Sequence, residues 1–158
     1  MRKLLQPLSA IEGALARAAG LLTAPAQFVV RVWVSWVFLK SGWLKVSDWS
    51  STLALFESEY RAPLLPPHVA AVIGAGGELV FGALVFVGLA GRASALGLFA
   101  VNALAVISYQ HVLLAEGFEA ALAQHVLWGF MLLVLAVHGP GRWSLDAFLS
   151  IHPRNTQR

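Results

Sequence analysis

AAVIGAGGELVFGALVFVGLAG, residues 70–91, decides the fold: it is an apolar run long enough to cross a hydrocarbon core, broken by one ionisable side chain, Glu78. A carboxylate at bilayer depth is costly. It faces a helix bundle or a watery cavity, where it pairs with a cation or takes up a proton. What Glu78 meets is therefore the first functional question.

Composition points to the same class. The 158 residues are 58% hydrophobic and 12% charged, with a mean hydropathy of +0.72, whereas soluble domains carry about 25% charged residues. A soluble fold of this length leaves about a third of its chain surface exposed and could not hide so much apolar area. The chain has no cysteine, which excludes disulfides, thiol relays and Cys-held zinc or iron–sulfur clusters. Any redox role then needs a bound cofactor or a partner. The net charge of +3 does not read as nucleic-acid binding, because the basic residues flank apolar spans and form no stripe.

Four spans are expected, at about 26–44, 69–89, 93–114 and 120–137. Gly91-Arg92 leaves a short turn between the second and third, and Gly139-Pro140-Gly141 stops the fourth. The fold class is an all-α membrane protein, a four-helix bundle of residues 26–147. An amphipathic segment, 1–25, precedes it and a tail, 148–158, follows. Placing both termini in the cytoplasm puts Arg2, Lys3, Arg17, Arg92, Arg142, Arg154 and Arg158 inside and leaves Lys45 and Arg61 outside. In the outer loop, Leu53, Phe56 and Tyr60 recur at helical spacing, so a short interfacial helix is expected before Pro63, Pro66 and Pro67 extend the chain. That helix is either an anchor or a lid.

Helix phase groups the polar residues. Arg31, Phe38, Gly42 and Lys45 share one stripe of the first span, while Lys40 points the opposite way and snorkels. Gly74, Glu78 and Gly82 share a face of the second span; Asn102 and Tyr109 share one on the third; His125, Trp128, Gly129 and Leu132 share one on the fourth. Glu78, Asn102 and His125 fall in one layer, and Arg31 starts about 10 Å short of it, within partial reach as a counter-ion to Glu78. His111, Glu116, Glu119 and His125 match no metal spacing, so no metal site is assigned. Phosphate loops, serine elbows and HExxH motifs are absent.

The run R-x6-F-x3-G-x2-K at Arg31, Phe38, Gly42 and Lys45, then GGELVFGALVFVGLAGR around Glu78, then GPGRWSLD from Gly139 to Asp146, resembles the DoxX family of small four-helix bacterial membrane proteins. The resemblance covers roughly residues 28–147, and the loop FESEYRAPLLPP is similar to a bacterial subgroup. It implies an inner-membrane location and an association with thiosulfate:quinone oxidoreductase or with oxidative-stress complexes. A fold, however, carries no activity by itself.

Two functions follow as expectations. In the first, the chain is a non-autonomous membrane subunit of a quinone-linked redox or stress system. Glu78 and His125 then handle protons as catalytic candidates, and Arg31, Lys45, Asn102, Tyr109 and Trp128 are cofactor-binding candidates around a quinone. In the second, it is a non-catalytic scaffold or assembly factor for a partner in metal or stress handling. The expected partners are the lipid bilayer and a redox or metal-handling protein, with a homo-oligomer left open and no nucleic acid.

Overall fold

The computed structural model describes residues 2–149, with side chains from Ile11 onward. The tail expected at 148–158, including His152, Arg154 and Arg158, lies outside the described residues from 150 on. The described chain forms α1 (Arg2–Ser47), α2 (Trp49–Ser58), α3 (Pro67–Val87), α4 (Gly91–Leu113), α5 (Glu119–His138) and α6 (Leu145–Leu149). Of these, α1, α3, α4 and α5 are long and apolar enough to cross a membrane. Trp33, Trp36, Val80 and Phe130 are all more than half exposed around the bundle, as lipid-facing side chains are. This is an all-α, four-span membrane bundle.

Three spans end within a few residues of their expected limits. The first differs: the sequence sets off residues 1–25 as a separate segment, whereas α1 is one helix of 46 residues. At 1.5 Å per residue it is about 69 Å long, more than twice a hydrocarbon core of about 30 Å. Pro25 withholds one N–H, but the Ala and Leu residues before it keep the helix going.

Lipid provides no hydrophobic drive between helices, so close packing at small residues must hold them together. α1 and α3 meet where Gly42 faces Leu79 and Gly82 faces Leu39, and a Cβ on Gly42 would lie 2.9 Å from Leu79 Cγ. α3 and α4 meet at Gly77 against Val101 and at Gly97 against Phe81. Gly129 of α5 lies against Asn102 and Phe99 of α4. Val34, Phe38, Val85, Ala95, Leu98, Leu132 and Leu135 fill the centre.

The ends are tied by specific groups. Gly88 closes α3 in the left-handed region, at φ 72°, and leads directly into α4. Asp146 accepts hydrogen bonds from the N–H groups of Ala90 (2.9 Å) and Gly91 (2.8 Å), satisfying the start of α4. At the other end Asp48 caps α2 by accepting from the Ser51 N–H, and α2 buries Thr52 and Phe56. Phe56 packs with Ala70 and Ala71 of α3. The expected interfacial helix is thus seated across the end of the bundle.

Candidate functional site

Glu78 meets Lys45. The Lys45 Nζ donates to both carboxylate oxygens at 2.8 Å and to Ser41 Oγ at 2.7 Å. The approach depends on Gly42, one helical turn before Lys45, because a Cβ there would lie 3.0 Å from Glu78 Cβ. Both side chains are largely withdrawn from the surface, 16% exposed for Lys45 and 8% for Glu78. Such a pair is costly to desolvate, and removing one partner is costlier still.

The pair is not sealed in packing. It lines a cavity of about 40 Å³ together with Phe56, Tyr60, Gly74 and Ser108, and the cavity lies under α2. That volume holds two or three waters. Tyr60 stacks on Phe56 (4.4 Å between ring centres) and on Tyr109 (4.8 Å). Burial above all, and then the nearby charge of Glu78, pushes the Tyr60 phenol up to about 12, so it stays a hydrogen-bond donor at any physiological pH. The Tyr109 hydroxyl donates to Glu59 Oε2 at 2.6 Å, and the Arg61 N–H donates to the Ser108 carbonyl at 2.9 Å. Thr52 Oγ1 donates to the Lys45 carbonyl at 2.9 Å. Together these bonds hold α2 and its trailing loop over the cavity.

The expected Arg31–Glu78 pair does not form. Arg31 Nη1 donates to the Pro140 carbonyl at 3.0 Å and Nη2 to the Trp143 carbonyl at 2.6 Å. The antiparallel register of α1 and α3 explains this. It sets Gly42 beside Leu79 and Arg31 beside Gly88, so Arg31 lies about 21 Å along α1 from Lys45, near the opposite end of the bundle. Arg31 is buried there, with Phe28 against its guanidinium.

His125 makes its hydrogen bonds with Asn102. Asn102 Nδ2 donates to the His125 carbonyl at 3.0 Å, which leaves Oδ1 facing His125 Nδ1 at 2.8 Å and puts the ring proton on Nδ1. Trp128 packs edge-on to His125 and to Phe38. Of the seven candidates read from the sequence, Glu78 and Lys45 line the cavity. Asn102, His125 and Trp128 form a second group between α4 and α5; Tyr109 holds α2, and Arg31 clamps the far end.

The sequence offered no role for Ser41 and Ser108 and set Tyr60 only on the expected interfacial helix. Ser41 stands one turn before Lys45, and Tyr60 continues the Leu53–Phe56 stripe, so both were within reach of the same periodicity. Ser108 had no such signal. Asp146 was also missed, because its role depends on a contact across 55 residues. Among the described residues, no group of three or more His, Asp or Glu could hold a metal ion.

A profile described as DoxX matches residues 26–111, from the bundle-forming part of α1 to the last turns of α4. No curated protein and no solved structure matches the chain.

Proposed function

The chain belongs to the DoxX family, and from that premise we propose that it is a membrane subunit of a quinone-linked redox or oxidative-stress system, with Lys45 and Glu78 as its proton-exchanging groups. The observation that carries this reading is that the buried ion pair opens onto a cavity roofed by α2 and is not closed off by side chains.

The donor set suits a quinone head group. The Tyr60 phenol and the Ser108 hydroxyl can donate to the carbonyl oxygens of a flat quinone ring set beside Phe56, while the Lys45 ammonium stays with Glu78 and Ser41. The closed volume of about 40 Å³ does not hold such a ring, so binding requires α2 to swing outward. A quinone there would supply two-electron chemistry, and the electrons come from a partner carrying a redox centre, since this chain has no cysteine. The chain's own residues manage the protons. Lys45 holds its ammonium against Glu78 and Ser41 accepts from it; water admitted to the cavity under α2 would carry the proton to the membrane face. His125, committed to Asn102, serves in this reading to fix α4 against α5.

The reading places the protein in the bacterial inner membrane with both termini in the cytoplasm and α2 on the outer side. The basic residues at the α5 end, Arg92 and Arg142, support that orientation. Solvent extraction of the purified protein tests the function. A stoichiometric quinone in the extract supports it; an extract without quinone, together with normal quinone-linked respiration in a deletion strain, would leave a non-catalytic scaffold as the better account.

A further inference from the structure

At the end of the bundle where α5 stops, α1 continues outward and the chain after α5 folds back against it. Gly141, at φ 84°, lies so close that a Cβ would stand 2.8 Å from Gln27 Oε1. Between them runs a groove of about 610 Å³. One wall is residues 20–27 of α1, with Leu21, Ala24 and Pro25 apolar and Thr23 and Gln27 polar; the other is Arg142 and Trp143.

The charge in this groove is one-sided. The Arg142 guanidinium is exposed and makes no hydrogen bond or ion pair with the described residues. Arg17 lies on the same face of α1 as Gly20, Ala24 and Gln27, at offsets of three, seven and ten residues. Arg92 is close by, with its Nε 3.9 Å from where a Cβ on Gly139 would stand. Of the acidic side chains at this end, Asp146 turns its oxygens to the Ala90 and Gly91 N–H groups, and Glu12 stands eight residues before Gly20, about 12 Å further out along α1.

Depth identifies the occupant. Gln27 lies about 30 Å along α1 from Ser47, the thickness of a hydrocarbon core, so the groove opens at headgroup level. Trp143, 57% exposed, has the interfacial position such side chains favour. A basic pocket at that depth with an apolar wall is complementary to a lipid headgroup and is poorly suited to a free anion.

We propose that this groove binds the headgroup of an anionic phospholipid, with its phosphate on Arg142 and its glycerol region against Pro25 and Trp143. Arg92, and Arg17, whose guanidinium turns toward Gly13, lie outside the lining and add only longer-range attraction. The site is distinct from the Lys45–Glu78 cavity and does not depend on the redox reading.

Native mass spectrometry of the full chain in detergent, with phosphatidylglycerol or phosphatidylcholine added, tests this. Phosphatidylglycerol should be retained at least about fivefold more than phosphatidylcholine, and Arg142→Gln should remove about fivefold of that preference, as one basic side chain near a membrane surface does. Arg142→Lys should keep the preference, and Arg61→Gln, beyond the other end of the bundle, should not change it. If Arg142→Gln lowers the unfolding temperature, Arg17→Gln, at an exposed helix position, provides the same test, with a smaller loss expected. Equal retention of the two lipids, full preference in the charge-removing variants, or displacement by a tenfold excess of inorganic phosphate would overturn the proposal.

Discussion

Lys45 Nζ stands 2.8 Å from each carboxylate oxygen of Glu78, joining the last turn of α1 to the middle of α3 at the edge of the cavity. Lys45→Met alone strands a buried carboxylate, and the expected loss is about 3–5 kcal/mol. The joint Lys45→Met, Glu78→Gln variant removes both charges and should recover most of that loss. Thermal unfolding in detergent measures both, and additive losses would mean that the two residues do not act as a pair.

Arg31 satisfies the carbonyls of Pro140 and Trp143, which holds the chain after α5 against α1. Arg31→Met should cost about 3–6 kcal/mol, since a hydrogen bond from a charged donor is worth about 1.5–3 kcal/mol and two are lost. Trp143 fluorescence should shift as that segment loosens. Adding Glu78→Gln should not rescue the variant; the two effects should sum to within about 0.5 kcal/mol, as for distant sites.

The contrast between these two cations shows what was legible in the sequence. Apolar runs and Gly-Pro breaks gave the four spans, and the Leu53, Phe56, Tyr60 spacing gave α2, because both signals are local. Phase puts Arg31 and Lys45 on one stripe and makes Arg31 the expected counter-ion of Glu78, where the structure has Lys45. The choice depends on axial register, which is set by Gly42 against Leu79 and Gly82 against Leu39, and no periodicity within one helix encodes it. The same limit kept His125 grouped with Glu78, when its partner is Asn102 on the neighbouring helix.

Asn102 bridges α4 and α5 with two hydrogen bonds to a single residue. Asn102→Leu leaves the His125 ring N–H without a partner and takes from its carbonyl the bond it makes beyond the helix, an expected cost of about 1–3 kcal/mol for the stranded group. His125→Ala keeps the backbone carbonyl and should cost less. Unfolding of the two variants under the same conditions decides the order.

Asp48 links pH to the roof of the cavity. Its hydrogen bonds from Ser51 and Ser50 hold the carboxyl below the usual aspartate value, so the folded form favours the ionised cap. The cap's contribution is then fully present above the unfolded value of about 4 and is lost as pH falls through the folded value. Hydrogen exchange in α2, corrected for intrinsic rates, should be steady from pH 7 to 5 and lose protection below about 4. Asp48→Asn should show no such step.

The central claim is that the Lys45–Glu78 pair serves a quinone and does not merely brace α1 against α3. A short-chain quinone titrated into the wild type, the Lys45→Met, Glu78→Gln double variant and His125→Ala measures this directly. The account predicts that the double variant, folded by its unfolding curve, binds at least tenfold more weakly, while His125→Ala stays within about twofold of the wild type. Wild-type affinity in the folded double variant would contradict it.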